Sequence, residues 1–132
     1  MGSPTNSSQN GGIIGVSNAA ANVYVDKMTL FTGSGCFTKA SVNPAAPGKA
    51  TVVVAAGGGG GGWDGGGGGG AGGMIIKQCH VLPASAVPVT IGAGGAGATG
   101  NNDRGDTGAN SVFGSACAPI TAAAGGGGGS EN

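Results

Sequence analysis

Apolar positions in this chain gather into short β-branched stretches that run straight into or out of glycine. Residues 49–56 read Lys-Ala-Thr-Val-Val-Val-Ala-Ala and lead into six glycines at 57–62. Residues 87–91, Val-Pro-Val-Thr-Ile, lead in the same way into Gly-Ala-Gly-Gly-Ala-Gly at 92–97. β-Branched side chains suit a pleated, half-buried surface, so both stretches are predicted strands. Residues 74–82 and the shorter 111–117 follow glycine-rich segments and are predicted strands as well. Nearer the N-terminus, 22–26 and 29–32 alternate as half-buried strands do. No window carries a capped 3.6-residue apolar period, so little or no α-helix is expected beyond a turn around 19–21.

Glycine supplies 34 of the 132 residues, with runs at 57–62, 65–70 and 125–129. Each glycine loses more conformational freedom on ordering than any other residue, so such runs stay disordered unless packing compensates. Composition separates these outcomes. Flexible linkers are polar and poor in apolar residues, whereas this chain is 39% hydrophobic and 8% charged. Collagen needs glycine at every third position, and these runs do not keep that register. Silk-like and cell-wall glycine-rich proteins repeat one short unit over long chains, while the blocks here are separated by unlike segments.

The polyglycine II helix remains. Its left-handed turn of three residues points amides and carbonyls outward, so several helices pack side by side and bond laterally where no Cβ holds them apart. Six residues span about 19 Å in this form. The expected fold class is all-β with polyglycine II-like helices, a β-sandwich-like glycine-rich domain over residues 28–132. Residues 1–27 differ in kind. The first ten are polar and lack the basic and apolar regions of a secretory signal. The patch Gly11-Gly-Ile-Ile-Gly-Val16 is too short to span a membrane and reads equally as a docking peg or an edge strand.

Several motifs taken in order carry a resemblance: Phe31-Thr-Gly-Ser-Gly-Cys-Phe-Thr38, Pro47-Gly-Lys-Ala-Thr-Val-Val-Val54 into glycine, 87–97, Asn110-Ser-Val-Phe-Gly114, and the closing 125–129 run. The succession resembles the glycine-rich domain of bacteriophage tail-fibre and receptor-binding (adhesin) proteins. That resemblance implies a virion protein, assembled in the bacterial cytoplasm, with a role at or near host attachment. It also implies a homotrimer, contacts with other virion proteins through residues 1–27, and a bacterial surface receptor, either a glycan or an outer-membrane protein. Self-association fits the composition too. One Trp, one Tyr and three Phe cannot fill an ordinary core in a chain of this length. A decoration or connector protein of the capsid or tail, without receptor contact, is the alternative function.

Catalysis finds little support, with five acidic residues and a single histidine. His80 falls in a strand pattern and reads as a surface or edge residue. No glycine run ends in Gly-Lys-Ser/Thr, so a phosphate loop is rejected. Cys36, Cys79 and Cys117 lack metal-ligand spacing, and a small buried hydrophobe is the default role of each. Lys27, Lys39, Lys49, Lys77 and Arg104 are scattered singly in a chain of zero formal charge, which leaves no footprint for nucleic acid or an anionic membrane. No cofactor is expected. Arg104-Gly-Asp106 spells an integrin-type tripeptide, a sequence that a Gly- and Asp-rich loop produces easily by chance.

Candidate contact residues are those that interrupt glycine. Trp63 and Asp64 sit between two six-residue runs, where an aromatic face beside a carboxylate suits a sugar or a protein surface. Inward packing of Trp63 as a core anchor is the competing reading. Residues 99–110 form the longest polar interruption and are expected to be an exposed loop, with Asn101, Asn102, Asp103, Arg104 and Asp106 as further receptor-contact candidates. A Ca²⁺ site at Asn102, Asp103 and Asp106 is a weaker reading, because the spacing matches no known loop.

Overall fold

β-Branched runs form strands and glycine runs form a second kind of regular backbone, continuous with the first. The computed structural model describes residues 28–39, 48–115 and 118–130. Its strands are β1 (Gly35–Phe37), β2 (Lys49–Ala55), β3 (Met74–Val81), β4 (Val87–Thr90), β5 (Ser111–Phe113) and β6 (Ile120–Ala122). All pairings are antiparallel, in a four-stranded sheet ordered β1-β4-β5-β6 and a two-stranded sheet β2-β3. No α-helix occurs among the described residues.

Alternation places one face of each sheet on a small core. Val54 of β2 meets Val87 and Val89 of β4, Phe113 of β5, and Ile120 and Ala122 of β6. Phe31, Phe37, Val52, Ala56, Leu82 and Ile91 close its rim. Ser111 is fully buried among them, and its Oγ accepts a 2.9 Å hydrogen bond from the Gly92 amide. Ser111→Ala leaves that part-buried amide without its partner, an expected loss of about 1–2 kcal/mol measurable by urea denaturation.

A bulge shapes the β2-β3 ladder. Ala50 pairs His80 but Val52 pairs Lys77, so β3 carries one extra residue here, and Cys79 takes a φ of 53°. The extra residue changes which face His80 presents. His80 stands on an edge strand, as one of its two readings had it, and is half-buried rather than on the open surface, with its ring edge-on to Phe113 at 5.9 Å between centroids.

Beyond the strands, five segments make a bundle: 56–62, 66–73, 92–98, 105–110 and 123–129. The first is central. It donates from Gly57 and Gly60 to Ala109 and Asp106 of the fourth, and from Gly59 and Gly62 to Gly70 and Gly67 of the second. It accepts at Gly58 and Gly61 from Gly95 and Ala98 of the third, and at Gly57 and Gly60 from Gly125 and Gly128 of the fifth. These bonds measure 2.8–3.1 Å. Partners step by three residues on every contact, which is the repeat of polyglycine II. The fifth segment also bonds the second and fourth, and the fourth bonds the third. The network is therefore a row of three segments (third, first, second) with a row of two (fourth, fifth) laid on one side.

Glycine is required here for approach rather than for unusual dihedrals. Among the described glycines only Gly114 has a positive φ, at 111°. A Cβ on Gly57, Gly59, Gly60 or Gly62 would instead meet backbone of the third or fifth segment well under 3.0 Å away, a separation real Cβ atoms do not show.

Several expectations change. Residues 29–32 form no strand, and 22–26, 19–21 and the 1–27 arm lie outside the described residues. β5 is only three residues long, and Cys117 also lies outside the described residues. Cys36 and Cys79 are exposed free thiols rather than buried hydrophobes, because β1 turns Cys36 outward and the bulge exposes Cys79. Residues 99–110 are not one loop. From Gly105 onward they are the fourth bundle segment, with Gly105 and Gly108 facing the first segment at a three-residue interval.

Candidate functional site at the free end of the bundle

Strands β2 to β6 all join one end of the bundle. At the opposite end the first and second segments are linked by Trp63-Asp64-Gly65, and the third and fourth by the loop from Thr99. Both linkers are tight turns. The Gly66 amide donates to the Trp63 carbonyl at 2.8 Å, and the Asp103 amide to the Gly100 carbonyl at 3.1 Å. Each turn holds one non-glycine residue in the left-handed region, Asp64 at φ 48° and Asn102 at φ 60°. Asp and Asn tolerate this conformation better than other side chains, which is why the chain places them there.

The bundle brings the two turns together. Trp63 donates its amide to the Asp103 carbonyl at 3.4 Å, a bond between residues forty positions apart. Trp63, Asp64, Asn101, Asn102, Asp103 and Arg104 thus share one end, and all are exposed. Trp63 is 40% exposed and does not belong to the core cluster. Asp106 is also exposed but sits apart from the turns, in the fourth segment, where its carbonyl accepts from Gly60.

Charge is unevenly divided along the molecule. Asp64, Asp103, Asp106 and Arg104 lie at or near the free end, while Lys39, Lys49 and Lys77 lie at the strand end. Among the described residues, a chain of zero formal charge therefore presents an acidic tip and a basic base. No group of three His, Cys, Asp or Glu suited to a metal ion occurs among the described residues. The tip offers carboxylate and amide hydrogen-bonding groups around one indole face, with fixed backbone beneath them and no nucleophile paired to a base. Groups of this kind can stack and hydrogen-bond against another surface.

Trp63, Asp64 and residues 101–104 stand out in the sequence as interruptions of glycine, but their convergence does not, because it depends on the third and first segments running parallel. No curated protein and no solved structure matches the chain. Residues 32–132 match the family described as the glycine-rich domain, which takes in the whole bundle and the tip, and the chain belongs to that family.

Proposed function

We propose that this is a non-enzymatic virion protein of a bacteriophage, a component of a tail-fibre or spike tip that attaches to a bacterial surface receptor. The observation that carries the reading is the convergence of the Trp63 turn and the 99–104 loop at the free end of a side-chain-poor, laterally bonded bundle. Binding loses least entropy when contact residues are already fixed, and a lattice bonded every third residue holds both turns in place. The acidic, amide-rich surroundings of the indole suit a neutral glycan or a protein loop and oppose phosphate-rich polyanions.

The test compares adsorption of particles carrying wild-type chain with particles carrying Trp63→Ala combined with Asn101→Ala. Adsorption is expected to fall at least about tenfold, the factor that follows from about 1.4 kcal/mol of lost contact energy, while the melting temperature of the isolated chain stays unchanged. Normal adsorption with the tip altered would overturn the reading. A connector role without receptor contact is the second reading, favoured by the exposed Val53, Met74 and Ile76 on β2-β3. It predicts normal adsorption but unstable particles when those strand residues are changed, and gold-labelled antibody to the 99–104 loop over the capsid or tail shaft instead of at a free end.

A further inference from the structure

The central segment of the bundle has four bonded neighbours, and their positions show where two more are missing. A three-residue screw sends amides in three directions about 120° apart, with carbonyls between them. Amides 57 and 60 go to the fourth segment and 59 and 62 to the second, leaving those of Gly58 and Gly61 with no backbone partner among the described residues. Carbonyls 57 and 60 go to the fifth segment and 58 and 61 to the third, leaving those of Gly59 and Gly62 likewise free. The unused donors and acceptors lie together on the side of the three-segment row opposite the fourth and fifth segments.

Glycine usage on that side makes an independent observation. A Cβ on Gly58 would have its nearest neighbour at 3.4 Å and one on Gly61 at 4.0 Å, both ordinary contacts. In the third segment, which runs parallel to the first, the corresponding positions Gly94 and Gly97 would meet their nearest atoms at 3.7 and 3.8 Å, and Gly68 of the second would meet nothing within 4 Å. The chain's own packing does not require glycine at any of these places. On the outer side of the fourth segment, by contrast, side chains are present at Asp106, Thr107 and Ala109. Ala71, three residues on from Gly68, carries a single methyl on this side; along the central and third segments the side is bare where side chains fit, which leaves room for another backbone to approach.

The strands extend the same face. Val54 points into the core, so Val53 and Ala55 point away from it, and Met74 and Ile76 stand opposite them across the ladder. Val53 is 58%, Met74 65% and Ile76 57% exposed. This apolar patch continues the bare row on the side away from the four-stranded sheet.

We propose that a second copy of this chain docks here, face to face, so that the two three-segment rows interleave as adjacent layers of one polyglycine lattice and the two β2-β3 patches cover each other. Only a backbone without Cβ atoms on its facing side can reach the free amides and carbonyls of the row, and the row offers such a side at Gly58, Gly61, Gly94 and Gly97. Each of its edges alternates donors and acceptors, so the face is complementary to a copy of itself about a two-fold axis. The apolar patch supplies the burial that backbone bonds alone do not.

Sedimentation velocity of the full chain over a dilution series tests the proposal. The wild type is expected to show the mass of two copies, falling to one on dilution. Gly58→Ala, Gly61→Ala, Gly94→Ala and Gly97→Ala combined place methyl groups between the layers and are expected to abolish the two-copy species while far-ultraviolet circular dichroism of the diluted protein is unchanged. Ile76→Asp alone, which adds no bundle methyl group, is expected to do the same. Gly126→Ala, on the opposite side with nothing within 4 Å of the added methyl, keeps the pair. A wild type of one copy at every concentration, an assembly of three copies, or a two-copy mass indifferent to both sets of changes would each overturn it.

Discussion

Gly60→Ala is expected to unfold most of the bundle, at a cost of ~4 kcal/mol or more, in the range reached only by a few named mechanisms. The added methyl would collide with the Ala96 carbonyl and the Gly97 amide, which are backbone and have no rotamer to change. Relief requires the third segment to move away, breaking the bonds from Gly95 to Gly58 and from Ala98 to Gly61. Those same bonds set the position of the loop from Thr99, so the tip loses its geometry along with the lattice. Gly126→Ala is the counterpart. Its methyl meets nothing within 4 Å and its φ is not positive. It reduces unfolded-chain entropy alone and is expected to add about 0.4–1 kcal/mol. Thermal melts of the two variants beside wild type decide the matter. If they melt together, close backbone packing is not what holds the bundle.

Phe113→Ala is expected to cost about 3–5 kcal/mol, as for other buried aromatics cut to alanine. In most proteins such a loss is partly relieved by neighbours collapsing into the cavity. Here the other buried core members are three valines, one isoleucine and one alanine, too short to fill the space. Phe113 also anchors two rings, Phe37 at 6.0 Å and His80 at 5.9 Å between centroids. Against a typical total of about 5–15 kcal/mol, the loss removes a large part of the stability. Hydrogen exchange gives the sharper readout. Because β2, β3, β4, β5 and β6 each continue into a bundle segment, loss of amide protection is expected in the glycine segments as well as in the strands. Protection retained at Gly59, Gly60 and Gly62 in this variant would mean that the lattice folds without the core.

Legibility followed the signal that each element left in the side chains. Residues 49–56, 74–82 and 87–91 are rich in Val, Ile and Thr beside glycine, and all three are strands within a residue of the expected ends. β1 and β6 are three residues each and include Gly35 and Ala122, so propensity alone does not mark them. They exist because neighbouring strands offer unpaired edges. The reverse holds at 29–32, whose alternation is genuine but which finds no partner strand. The fourth bundle segment was hidden because only its inward positions are glycine. Gly105 and Gly108 repeat at the polyglycine interval, and Asp106, Thr107 and Ala109 between them made the stretch look like an ordinary loop. The three-residue spacing was the available signal.

The sequence by itself determined the kinds of backbone, because a residue with no Cβ permits a close lateral approach that a side chain facing the neighbour forbids, and β-branched runs favour the pleat. It also determined which residues stand out from the glycine, and hence the candidates for contact. Tertiary structure decided how five segments share one lattice, which glycines face inward, and that the Trp63 turn and the 99–104 loop meet at one end. Those outcomes depend on parallel or antiparallel direction and on register between segments far apart in the chain. Glycine carries no side chain to encode either. Direction and register are set instead by the strands at the other end, where Val54, Val87, Val89 and Phe113 lock the sheets together.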